Sequence, residues 1–303
     1  MDAEAASVHL INYDSPGKLR SFLDNNGLGM RKKYGQNFLI NPAARLKLLD
    51  ALEPDMGDHV WEIGPGLGAM TRGLLERGAH VTAFEIDPAF SRILKELFCR
   101  SETFCPGSSF RLVEGDVLKT WPSAEADEKT SLLGNLPYNI AAALLADFTE
   151  KGRFFKRMVV TVQREVAERM ASGPGSADYS SFSVLCASAY KVSLLSVIKS
   201  SSFYPEPNVD SRGVRLDLLP EREKRPALFY PMVRGLFSGR RKTIRNTLSA
   251  FAASVIIKPG SQKEIAEEVF RKSGVSGDRR PETLGINEFN VLALNLEELV
   301  RNV

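Results

Sequence analysis

Asn135-Leu136-Pro137-Tyr138 places a side-chain amide, free backbone carbonyls and a flat ring within four residues, the parts needed to handle an amino nitrogen. The Asn135 amide and the Leu136 carbonyl can accept the two hydrogens of an exocyclic NH2, while Tyr138 stacks on the base that carries it. The bland alternative is a β-turn in which Pro137 presets φ. About seventy residues upstream is a glycine-rich turn, Glu62-Ile63-Gly64-Pro65-Gly66-Leu67-Gly68, which follows the apolar residues Val60 and Trp61. Such a turn, through Gly64 and Gly66, lets backbone approach a cofactor closely. Its G-x-G-x-G spacing is one residue short of the dinucleotide fingerprint, and Pro65 removes a donor, so a pyrophosphate ligand is disfavoured.

Two further polar residues fall where strands should end. Glu85 stands 21 residues beyond Gly64, directly after the apolar run Val81 to Phe84, where a ribose-binding carboxylate is expected. Asp116 follows the strand-like Phe110 to Val113 and can accept an adenine amino group through a side-chain oxygen. Positioning them requires strands at 59–63, 80–85, 110–113, 130–134 and 159–162, alternating with helices near 69–77, 88–98, 140–150 and 164–170. This alternation predicts an α/β fold with a Rossmann-like parallel sheet, closed by an antiparallel edge pair at 190–198 and 213–219. Pro220 and the charged run to Arg225 read as a linker, and helical patterns at 227–237, 240–254, 262–272 and 287–301 predict a small all-helical C-terminal domain. The expected organisation is an N-terminal extension over 1–30, a catalytic domain over 31–220 and a helical domain over 221–303.

Composition narrows the chemistry. Cys99, Cys105 and Cys186 form no C-x-x-C pair, and the three histidines are scattered, so no disulfide framework and no metal site are expected. With neither a leader-like segment nor an apolar run of membrane-spanning length, the expectation is a cytoplasmic protein without a membrane partner. Charge is uneven: residues 221–303 carry 15 Lys and Arg against 10 Asp and Glu, which leaves residues 1–220 slightly acidic. Arg240, Arg241, Lys242 and Arg245 concentrate that excess, and helical spacing puts 241 and 245 on one face, either as phosphate ligands or as a solvated surface. Phe203 is open to two readings, a wall of the base pocket or an anchor beneath its proline-containing loop. Glu62 either reaches a ligand ammonium or points to solvent.

Taken together, these motifs resemble the bacterial KsgA family, the S-adenosylmethionine-dependent dimethyltransferases of adenines in small-subunit ribosomal RNA. The resemblance runs from Lys33-Tyr34-Gly35-Gln36-Asn37-Phe38-Leu39 through EIGPGLG and NLPYN to Val162-Gln163-Arg164-Glu165-Val166-Ala167, Phe203-Tyr204-Pro205-Glu206-Pro207-Asn208-Val209-Asp210-Ser211 and Arg240-Arg241-Lys242-Thr243-Ile244-Arg245-Asn246. It implies a class I methyltransferase sheet, with S-adenosylmethionine held by Asn37, Leu39, Gly64, Glu85, Asp116 and Asn135. It further implies a monomeric enzyme that dimethylates two adjacent adenines near the 3′ end of 16S rRNA in the assembling small subunit. Rival readings are a large-subunit rRNA methyltransferase of the macrolide-resistance type, which the RRKTIRN segment disfavours, and an assembly checkpoint factor with little catalysis, which the intact cofactor set disfavours. Glu206, where the family usually has a proline, and Arg212-Gly213, where it usually has a small apolar pair, depart from the family pattern, and neither belongs to the cofactor set.

Overall fold

The computed structural model describes residues 11–30, 34–99, 104–136, 140–220, 225–239, 241–255 and 262–301. It forms two compact units, Met1–Ala167 with Val192–Leu218, and Glu168–Lys191 with Leu219–Val303.

The first unit begins with helix α1 (Pro16–Asn25), a two-residue strand β1 (Phe38–Leu39) and helix α2 (Pro42–Leu52). Strands and helices then alternate: β2 (His59–Ile63), α3 (Ala69–Glu76), β3 (His80–Glu85), α4 (Pro88–Phe98), β4 (Ser109–Glu114), α5 (Val117–Thr120), β5 (Ser131–Asn135), α6 (Ala141–Glu150), β6 (Arg157–Gln163) and α7 (Arg164–Ala171), whose last residues belong to the second unit. After β7 (Tyr190–Ile198), the short β8 (Phe203–Tyr204) and β9 (Ser211–Leu218), the main sheet has seven strands in the order β4-β3-β2-β5-β6-β9-β7. The pairs β2–β3, β3–β4, β2–β5 and β5–β6 are parallel and β6–β9 is antiparallel. β2 and β5 are interior parallel strands, and each is buried at four of its five positions, polar Glu62 and Ser131 included. One sheet face packs Val60, Val81, Leu133 and Val159 against helix residues such as Leu49, Leu74 and Leu94. Trp61, Phe84, Phe148 and Phe155 form an aromatic cluster with neighbouring ring centroids 4.7–6.3 Å apart.

Helix starts are set locally. Pro16, Pro42 and Pro88 each follow a capping residue, Ser15, Asn41 or Asp87, whose side chain accepts a first-turn backbone N–H. Gly68 leads into α3 at φ 84°, and a Cβ there would stand 2.3 Å from the Phe98 ring, so both conformation and space demand glycine. At Gly213 in β9 a Cβ would lie 3.1 Å from both Leu195 and Leu48.

The second unit consists of α8 (Ser181–Ala189), α9 (Phe229–Phe237), α10 (Ile244–Val255), α11 (Gln262–Ser273) and α12 (Ile286–Arg301) around a core that includes Phe229, Leu236, Leu248 and Phe289. Two features differ from the sequence expectation. The segment 168–191, expected in the catalytic domain, packs with the helical unit: Tyr179 and Val184 share its core, and the Tyr179 hydroxyl donates to the Leu284 carbonyl at 3.0 Å. The helix expected over 240–254 starts at Ile244, so 241 and 245 do not share a helical face.

Candidate active site

Progression along the sheet reverses between β2 and β5, whose carboxyl ends flank the crevice where α/β sheets bind ligands. A cleft of about 990 Å³, its open mouth included, lies there. Asn37, Leu39, Gly64, Gly66, Glu85, Asp116 and Asn135 all line it, so the structure brings together seven residues spread over about a hundred positions of sequence.

Glu85, at the end of β3, is 4% exposed and accepts the Asp87 N–H at 2.8 Å and the Gly66 N–H at 3.3 Å. Burial pushes its carboxyl up to about 7, and the two backbone donors hold its orientation. Gly66, at φ 59°, brings the turn so near the wall that a Cβ would stand 3.0 Å from the Phe38 ring. Asp116 caps α5 by accepting the Leu118 N–H at 3.0 Å and also lines the cleft. Gln36 ties the Asn37 segment to the end of β3 by donating to Asp87 at 2.9 Å. Gln36 was legible only as part of its motif; Tyr13, Ile86 and Ile140 also line the cleft and carried no sequence signal of their own.

At the β5 end, the Asn135 Nδ2 donates to the Asn37 backbone carbonyl at 2.8 Å. A carbonyl can only accept, so this bond fixes the amide's sense and leaves Oδ1 as its acceptor. Leu136 is 1% exposed, and its N–H is held by the Thr161 carbonyl at 3.1 Å. Pro137 and Tyr138 lie outside the described residues. Phe203 is 3% exposed within the core and pairs with Leu39 across β1 and β8, which is the anchor of its two readings. Glu62 neither points to solvent nor lines the cleft: it is fully buried beneath α3, where the Thr71 hydroxyl donates to it at 2.6 Å. Its other oxygen has no partner among the described residues, and burial pushes its carboxyl up to about 7.

The basic residues of the helical unit separate into two kinds. Arg241 and Lys242 are exposed in the turn before α10, and Arg240 lies outside the described residues. Arg245 is engaged: it pairs with Glu267, reaches Asp278 at 3.3 Å and lies 5.7 Å from the centre of the Phe270 ring. Among the described residues no cluster of His, Cys, Asp and Glu could hold a metal ion, and no helix is long and apolar enough to cross a membrane.

A family model described as ribosomal RNA adenine dimethylase matches residues 27–280. The chain belongs to that family. Ribosomal RNA small subunit methyltransferase A of Treponema denticola is 43% identical over 286 residues, covering 93% of this chain and 94% of its own length. The protein of the same name from Borrelia garinii is 38% identical, covering 94% and 95%. A crystal structure of a dimethyladenosine transferase from Plasmodium falciparum superposes with a TM-score of 0.71 at 26% identity, over 85% of this chain and 96% of that one. The 23S rRNA methyltransferase ErmE has the same fold, with a TM-score of 0.59 at 23% identity over 86% and 99%. As a member of the dimethylase family this chain is a methyltransferase, and S-adenosylmethionine is its methyl donor.

Proposed function

We propose that this protein dimethylates N6 of two adjacent adenines near the 3′ end of 16S rRNA in the assembling small subunit, as a cytoplasmic monomer. The observation that carries the reading is the Asn135 amide: its nitrogen is committed to the Asn37 carbonyl and its oxygen is left to accept, at the rim of a cleft lined by the donor-binding candidates.

The residues present fit the donor. Carboxylates and apolar walls suit a sulfonium cation, whereas Pro65 lacks the N–H that a phosphate cradle would use. Glu85 would hold the ribose hydroxyls, Asp116 the adenine amino group, and Asn37, Leu39 and the Gly64–Gly66 turn the remaining walls. When bound, S-adenosylmethionine supplies an electrophilic methyl group.

The chain's own contribution is to orient a weak nucleophile. An adenine amino nitrogen has its lone pair delocalised into the ring, and accepting its two hydrogens at Asn135 Oδ1 and the Leu136 carbonyl favours the pyramidal form that can attack. Stacking on Tyr138, worth roughly 1–3 kcal/mol, is comparable with the few kcal/mol that drawing the base out costs. Phosphates would meet Arg240, Arg241 and Lys242, with Arg245 shaping that surface through its ion pairs. The test is incubation with labelled S-adenosylmethionine and a mixture of undermethylated small and large subunits, followed by mapping of the modified nucleotides. Two neighbouring dimethyladenines near the 3′ end support the reading; label confined to large-subunit RNA, or none, defeats it.

A further inference from the structure

We propose that Tyr13 is a positioning residue of the methyl-donor site and that the segment 11–30 is built into that site. This rests on reading the cleft as the donor site. The segment is folded onto the first unit: α1 starts at its Ser15 cap, and Leu19, Leu23 and Leu28, together with Ile11, are buried in the unit's core. Leu19 and Tyr13 themselves line the cleft.

Tyr13 and Asp14 hold two different walls. The Tyr13 hydroxyl donates to the Leu67 carbonyl at 3.0 Å, and Leu67 lies between Gly66 and Gly68, two glycines at φ 59° and 84°. A turn hinged on glycines has conformational freedom to lose, so a bond to the carbonyl between them orders it before any ligand arrives. The same turn offers the Gly66 N–H to Glu85, so a shift at Leu67 would misplace the ribose-facing carboxylate. The Arg72 guanidinium sits 6.0 Å from the centre of the Tyr13 ring, and burial pushes the phenol up to about 12, which keeps it a neutral donor. Asp14 pairs with Arg45, which lines the cleft and donates to the Leu39 carbonyl at 2.7 Å. Consecutive residues thus brace the glycine-rich turn and the Asn37–Leu39 wall. Both precede residue 27, where the match to the family model begins, so that match says nothing of the brace.

Calorimetric titration with S-adenosylhomocysteine, alongside thermal melts, tests this on the full chain. Tyr13→Phe keeps the ring and removes the tether; the melting temperature should stay within about 2 °C while Kd rises about threefold to tenfold, the loss of one neutral hydrogen bond. Tyr13→Ala also removes the wall and should raise Kd more than about tenfold. Lys18→Ala, on the exposed side of α1, should bind as wild type. Wild-type Kd in both folded Tyr13 variants overturns the inference. Glu85→Ala in the same series separates the two readings: if it loses binding while the Tyr13 variants keep it, the cleft remains the donor site and only the brace falls; if it too binds as wild type, the donor reading itself fails.

Discussion

The proposed donor cleft and the basic segment before α10 announce themselves equally well in sequence, yet their side chains are held in opposite ways. At the cleft, intramolecular bonds fix the orientation of the candidate groups: Asn135 commits its nitrogen to the Asn37 carbonyl, and Glu85 is steadied by two backbone amides. In the helical unit, the bonds of Arg245 absorb it, because Glu267 and Asp278 take a guanidinium that looked free. Strand ends place short side chains through the backbone, so spacing predicts their position. A long flexible cation instead takes whichever partner folding brings near, 22 and 33 positions away in this case.

The largest effect should come at the acceptor. Asn135→Ala is expected to cut methyl transfer by about a hundredfold or more while S-adenosylhomocysteine binding falls far less, since alignment of the nucleophile is lost but most donor contacts remain. Single-turnover assays beside calorimetry decide it; parallel loss of both would make Asn135 a donor-binding residue only. Next is Glu85→Ala, which removes hydrogen bonds to a charged acceptor worth about 1.5–3 kcal/mol and should weaken donor binding roughly tenfold to hundredfold in a folded protein.

A third expectation sets Glu62 against Glu85, two buried carboxyls both raised to about 7 from 4.5. The folded state holds these protons more tightly than the unfolded state, so their stabilising effect is full below about 4.5 and declines as pH rises through about 7. Glu62→Gln should flatten the fall of melting temperature between about pH 5 and pH 8, recovering at most about 3 kcal/mol, while donor affinity holds. An unchanged pH profile would show that Glu62 ionises freely. The smallest effects sharpen the contrast among the cations. Arg245→Gln should lower the melting temperature by roughly 2 °C. The pair Arg241→Gln and Lys242→Gln should leave it alone and reduce the logarithmic salt slope of subunit binding by about 1.4. Equal salt slopes in the two variants would erase the distinction.

What could be read in advance follows the same line. The alternation of apolar runs located every parallel strand, and the residues after them located Glu85, Asp116 and Asn135, because one backbone rule governs both. Helix α8 escaped: it is apolar on nearly every side and carries no amphipathic period, so nothing marked 181–189 as part of the helical unit's core. Strands β1 and β8, two residues each, are shorter than any periodicity can reveal, and only their pairing settles Phe203 into the core. Tyr13 stayed silent for a related reason, since an isolated tyrosine in polar surroundings acquires meaning only from the carbonyl it meets.

The β1–β8 pair has a bearing on the order in which the enzyme becomes competent. Phe38 and Leu39 find their partners in Tyr204 and Phe203, and the Ser202 carbonyl receives the Ile40 N–H at 2.9 Å. A nascent chain that has delivered only the first six main-sheet strands' worth of sequence already owns the glycine-rich turn and its carboxylates, but the wall bearing Asn37 is still unpaired. Closing that wall spans more than half of the polypeptide, a long loop whose entropy must be met before the contact forms. Affinity for the methyl donor should therefore arrive late in synthesis, when nearly the whole first unit has left the ribosome.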